Sequence, residues 1–220
     1  THHHSDHVVG FPDLWLTGWI GRPWGKRSTP LDVWGPQGTS QMMEHLPQAF
    51  AVDLRVRSRS YPPEGAKLLP HEIKEGVVFD QDGIQVSAFD VDHGGEELPA
   101  FGYRIDYRNH AAVLSGDTTF NENLIVHSQG ADLLVHEVTA VAGSAAENAQ
   151  QLKRIGANHT TPEQAGEVFT RVKPKLAVYN HLLLFGSATA GDLIPATRQK
   201  YAGPLLVGVD LLQIDIGQEV

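Results

Sequence analysis

The sequence predicts a mixed α/β fold in a single domain. Apolar strand-like runs recur from residue 84 onward, each ending on a polar residue, and a helix with start and stop signals lies among them. The chain has 220 residues, 41% hydrophobic and 20% charged, enough for one large domain of ordinary globular composition. There is no internal repeat, low-complexity tract or linker.

Taken in order, residues 8–20 (VVGFPDLWLTGWI) are apolar at roughly helical spacing and predict a helix. Residues 21–38 are rich in Gly, Pro and basic side chains around the apolar run 31–34, so they read as loop, short strand and turn. Residues 39–50 read as a helix, and 55–75, polar and interrupted by proline, as strand and loop. Residues 84–91 alternate as a strand that ends near Asp92-His93. Runs 111–114, 131–135 and 176–179 then end in Ser115-Gly116-Asp117, His136-Glu137 and Asn180-His181. Thr161 can cap a helix, Pro162 suits its first turn and Gln164 completes a capping box, while Lys173-Pro174 stops it.

Composition excludes several classes of function. No apolar stretch approaches the 18 to 20 residues, roughly, that a membrane helix needs, so no membrane partner is expected. A net charge of −9 argues against broad nucleic-acid binding. The basic clusters Arg22, Lys26, Arg27 and Arg55, Arg57, Arg59 read as solvated faces. Cysteine is absent, which leaves His and carboxylates as the only strong metal ligands, and there are 12 His. The chain opens Thr1-His2-His3-His4-Ser5-Asp6-His7 without Met or a signal peptide, and is expected to begin inside a longer protein rather than with a tag.

The strand pattern brings His93, Asp117, His136 and His181 to C-terminal strand ends, where side chains converge without entering the core. In His2-x-His4-x-Asp6-His7, two His separated by one residue on an extended loop can face one metal, and Asp6 and His7 can turn to a second. Neutral imidazole and carboxylate suit zinc and similar divalent ions. Two ions roughly 3.5–4 Å apart need a bridging anion. Asp117, in the tight turn Ser115-Gly116-Asp117-Thr118, is the candidate.

These motifs, with Phe101-Gly102-Tyr103-Arg104, HEVT at 136–139 and NHTTPEQA at 158–165, resemble the metallo-β-lactamase superfamily, in its ribonuclease Z branch and arylsulfatase-like relatives. The resemblance implies an αββα sandwich with the site along one edge. It implies one ion on His2, His4, His93 and Asp117 and another on Asp6, His7, Asp117 and His181, zinc first with Mn2+ or Fe2+ as alternatives. It further implies attack by a metal-bridging hydroxide, a catalytic part for Asp6, and Glu137 with His159 as the proton donor to the leaving group. His136 is read as orienting its turn, and His3, His45, His71, His110 and His127 as structural or surface residues.

The sequence departs from this pattern in two places. The family's strands before the His-x-His motif are not within these residues, so a further N-terminal segment or a second polypeptide is expected to supply them. Residues 51–83 are too short and too weakly basic for the tRNA-binding arm of the tRNA-processing members. The expectation is therefore a dinuclear hydrolase of a phosphodiester or sulfate ester acting on a small-molecule ester, with RNA disfavoured by the acidic charge. The alternative enzyme opens a lactone or β-lactam ring, and a non-enzymatic alternative is a degenerate domain used for binding, against which all seven ligands are present. A cytoplasmic location and a homodimer complete the expectations.

Overall fold

By its contacts the chain divides into two units, Thr1–Ile73 and Lys74–Val220. The computed structural model describes residues 1–21, 23, 25–95, 97–143 and 156–217; Arg22 of the first basic cluster lies outside them.

In the first unit, helices α1 (Ser5–Val8) and α2 (Phe11–Trp19) occupy the stretch expected as one helix. Gly10 separates them, and Pro12 stands in the first turn of α2, where its missing N–H costs nothing. Strand β1 (Leu31–Gly35) leads to α3 (Thr39–Ala49), α4 (Ala51–Arg57), a 3-10 turn (Pro63–Ala66) and β2 (Leu68–Glu72). Strands β1 and β2 pair in parallel from Leu31↔Leu68 to Gly35↔Glu72. Buried Trp15 and Trp19 anchor α2, donating through Nε1 to the carbonyls of Ala66 (2.9 Å) and Pro62 (2.7 Å). Arg27 of the first basic cluster is a structural tie, donating to the carbonyls of Trp15 and Gly65. The strand-and-loop reading of 55–75 holds for β2, but Arg55 and Arg57 end a helix. Asp53 in the first turn and two arginines in the last suit the helix dipole, and Arg57 pairs with Asp53 at i,i+4 (2.8 Å).

The second unit is a seven-stranded sheet whose spatial order follows the chain: β3 (Gly76–Gln81), β4 (Ile84–Val91), β5 (Ala100–Tyr107), β6 (His110–Leu114), β7 (Leu133–Ala142), β8 (Leu176–Gly186) and β9 (Leu205–Val207). Strands β3 to β6 pair antiparallel, and β6 to β9 parallel. Helix α5 (Glu122–His127) connects β6 to β7, α6 (Pro162–Val172) precedes β8, and α7 (Ala190–Thr197) connects β8 to β9. The parallel strands read as nearly continuous apolar runs because both of their faces are buried. Phe89, Val113, Leu134, Val138, Phe169 and Tyr179 form the heart of one core cluster.

Thr161 and Gln164 form the capping box of α6, and Lys173 closes that helix in the left-handed region (φ 55°). Strands β7 and β8 run well past the ends expected at 135 and 179, so His136, Glu137 and His181 lie within strands rather than beyond them. Among the described residues no helix is long and apolar enough to cross a membrane.

Candidate metal centre

In the second unit Asp117 is the point of convergence. Strand β6 ends at Leu114, and Gly116 adopts φ 62°, a left-handed turn that glycine takes without strain. The turn places Asp117 Oδ2 3.8 Å from His93 Nε2 and 3.4 Å from His181 Nε2. Asp117 and His93 are both buried, at 3% exposure. Two ligand atoms about 2.0–2.1 Å from one tetrahedral zinc lie roughly 3.3 Å apart, which the Asp117–His181 spacing matches and the Asp117–His93 spacing exceeds.

His93 tests that match independently. Its Nδ1 lies 2.7 Å from the Asn158 carbonyl oxygen, which can only accept a hydrogen bond. Nδ1 therefore carries the proton, and Nε2, on the other side of the ring, faces the Asp117 carboxylate. A buried imidazole nitrogen facing a buried carboxylate suits a cation site, and the carbonyl behind the imidazole is the support that metal-binding His residues usually have.

His181 reaches the same carboxylate by another route. Pairing of β7 with β8 runs to Glu137↔Asn180 and resumes at Val138↔Leu182, so His181 is an extra residue in a bulge, with φ 44°.

Next to these groups, His159 Nδ1 lies 3.1 Å from Glu137 Oε1. The same oxygen accepts from the backbone N–H groups of Thr118 (3.1 Å) and Thr160 (3.2 Å). Burial raises the Glu137 carboxyl above its ordinary range, against the His159 hydrogen bond, which lowers it. Ligand atoms of His93, Asp117 and His159 lie within 4.8 Å of one another, as do those of Glu137, His159 and His181. The sequence reading missed the supports: Ser115 Oγ, the Asn158 carbonyl and the Thr118 and Thr160 amides. All four fall inside the SGDT and NHTTPEQA motifs, whose residue types signal a site there but not which hydroxyl, carbonyl or amide supports it.

In the first unit, His2 and His4 lie on the extended segment before α1, while Asp6 and His7 lie in its single turn. His2 Nε2 is 2.9 Å from His4 Nδ1, the His2 and His7 ring centroids are 4.2 Å apart, and Asp6 Oδ2 is 3.4 Å from His7 Nε2. His3 turns elsewhere, to Thr39 Oγ1 (3.2 Å). Each unit thus gathers its own share of the expected ligands.

Three of the other histidines have structural partners: His71 pairs with Asp32 (2.7 Å) and stacks on Trp34, His110 pairs with Asp132 (3.4 Å), and His127 stacks on Phe89, while His45 is exposed. His136 is fully buried, and burial pushes its pKa down to about 4.

Residues 1–182 match the family model of the beta-lactamase superfamily domain. A ribonuclease Z of Mycobacterium sp. (strain KMS) is 32% identical over 187 residues, covering 83% of this chain and 64% of that protein, so the chain spans just under two thirds of its length. A ribonuclease Z of Mycolicibacterium gilvum (strain PYR-GCK) is 30% identical over 98% of this chain and 76% of that protein. In fold, the crystal structure of human tRNase Z, short form, is similar with a TM-score of 0.66 at 19% identity, covering 99% of this chain and 78% of that one.

Proposed function

The chain belongs to the beta-lactamase superfamily, in its ribonuclease Z-like branch and with the metallo-β-lactamase fold, and on that premise we propose that it is a dinuclear metal-dependent phosphodiester hydrolase. One observation carries this reading: the His159–Glu137 pair, at 3.1 Å, stands in the same unit and within ligand distance of the His93, Asp117 and His181 cluster. In this reading residues 1–220 work as one catalytic domain. His2, His4, His93 and Asp117 hold one ion, and Asp6, His7, Asp117 and His181 the other, with zinc first and Mn2+ or Fe2+ as alternatives.

Bound there, two divalent ions would polarise the scissile group and bring the pKa of a water molecule toward neutrality. The chain's own residues supply the rest. Asp6 holds and orients the attacking water. His159 keeps Nδ1 on Glu137, which leaves Nε2 as the ring atom that delivers a proton to the departing oxygen. Glu137, held by two backbone amides, fixes the tautomer and orientation of that ring.

The name of the relatives makes RNA the first phosphodiester to test, and a net charge of −9 predicts that its binding is weak. Sulfate esters draw no support from these relatives and rank below phosphodiesters. A homodimer belongs to the same proposal.

The zinc-loaded protein is expected to cleave bis(p-nitrophenyl) phosphate in preference to p-nitrophenyl sulfate, a lactone or a cephalosporin. His159→Ala should lose about 10²-fold on RNA, whose leaving oxygen needs a proton, and far less on the activated nitrophenyl diester. An equal loss on both substrates would remove the proton-donor role. Turnover of the lactone or cephalosporin alone would install the ring-opening enzyme instead.

A further inference from the structure

Among the described residues the His136 ring makes a single hydrogen bond, and it falls on the bulge. Its Nδ1 lies 2.6 Å from the carbonyl oxygen of Glu137, the residue at which the β7–β8 register shifts. That oxygen can only accept, so Nδ1 carries the proton. The other ring nitrogen, Nε2, is buried and has no hydrogen-bond partner among the described residues. The ring stands edge-on to Phe169, at 5.8 Å and 89°.

The bulge explains why a donor is needed at this point. His181 is the extra residue on β8, and the ladder opposite it is interrupted at Glu137. Side chains serve both backbone groups of Glu137: its N–H donates to Ser115 Oγ (3.0 Å), and its C=O accepts from His136. Glu137 in turn carries the carboxylate that holds His159, while His181 faces Asp117 at 3.4 Å. One buried imidazole therefore secures the segment from which both the proton-donor pair and a metal ligand project.

We propose that His136 is a positioning residue whose Nδ1–H clamps the Glu137 carbonyl, holding the β7–β8 bulge in the form that presents Glu137 to His159 and His181 to Asp117. This rests on the reading of that site as a metal-dependent hydrolase. His136 touches neither substrate nor ion. It acts through the backbone, and a side chain of similar volume without a donor at the δ position cannot replace it.

The test compares His136→Leu, which fills the space without a donor, with His136→Asn, whose amide N–H can occupy the Nδ1 position. Both are compared with the full wild-type chain by calorimetric zinc titration of the metal-stripped protein and by kcat and KM on bis(p-nitrophenyl) phosphate. His136→Leu is expected to weaken one of the two zinc-binding steps and lower kcat, each by about 10–100-fold, the range for residues that support a ligand. KM should stay within about 3-fold, because substrate contacts are untouched. His136→Asn should return both quantities to within about 3-fold of wild type despite melting lower, since it leaves more empty volume than Leu. If His136→Leu does not fold, His136→Gln takes its place, with its amide at the ε position. Wild-type zinc binding and turnover in the donor-less variant overturn the clamp. So does an Asn variant as impaired as Leu, because ring volume would then be what matters. A wild-type protein that binds no zinc and cleaves no ester overturns the hydrolase reading itself, and the clamp with it.

Discussion

Asp117 and His181 meet within 3.4 Å, yet the fold aims them by opposite means. Asp117 lies beyond the end of β6, in a turn that a glycine at φ 62° makes without strain. His181 lies inside β8, and its own backbone takes the left-handed conformation, at φ 44°. The loop aims its proposed ligand through a residue that tolerates the conformation, whereas the strand loads the unfavourable conformation onto the proposed ligand itself. The difference teaches that a ligand at a strand end can be supported by its loop, but a ligand within a strand needs its neighbours to hold the backbone.

Three substitutions would break or sharpen this contrast. The largest effect is expected for Asp117→Ala. Loss of the shared carboxylate should lower kcat/KM at least about 10³-fold, beyond the roughly 100-fold typical of residues that only support a ligand. Metal analysis should find fewer than two ions per chain.

Next is acid sensitivity. The His136 ring has an ordinary value of 6.5 and falls to about 4 on burial. Below pH 6.5 the unfolded ring takes up a proton that the folded ring refuses. Its contribution to stability is therefore complete above that pH and is lost as pH falls toward the folded value. Urea unfolding of metal-free wild type and His136→Leu should converge or cross between pH 7 and 4, with the difference changing by about 3 kcal/mol in favour of the variant. Glu137 works in the opposite sense. Its raised carboxyl contributes stability below its unfolded value and loses it as pH rises through the folded one, so any loosening of Glu137 in the variant acts against the His136 change. A constant difference would mean that the ring is not kept neutral by burial.

The smallest effect is expected for His181→Gly. Glycine relieves about 1 kcal/mol of left-handed backbone cost, so the metal-free protein should melt about 2–4 °C higher while losing zinc affinity. A lower melting point would show that the imidazole, rather than the bulge, stabilises the apo form.

The same contrast explains what could be read in the sequence. The strand Ile84–Val91, the turn around Asp117 and the capping box at Thr161 were legible, because alternation, glycine and capping chemistry are local. The continuation of β7 and β8 past His136 and His181 was not. There the polar residues His136-Glu137 and Asn180-His181 looked like strand ends, yet pairing with the neighbouring strand carries the backbone through them. Strands β3 and β5 were also missed, since their order is set by antiparallel partners rather than by their own composition. Helix α4 was obscured by the alternation of Arg55, Arg57 and Arg59, which mimics an extended period. For the site, residue types announced the ligand candidates, but which imidazoles face outward and which anchor the backbone was decided by tertiary partners. His3 goes to Thr39 and His136 to a carbonyl, and neither destination is written in the spacing.

The tie between His93 and the Asn158 carbonyl couples two functions that could otherwise vary separately. One imidazole addresses Asp117 through one nitrogen and, through the other, grips the residue just before His159. Replacing His93 by an aspartate or a cysteine could preserve a donor toward the proposed cation, but it would release the backbone that carries His159, the proposed proton donor. On the proposed reading, ligand exchange at this position is therefore barred by the acid as much as by the metal, and an engineer seeking a different ion would have to rebuild the 156–161 segment at the same time.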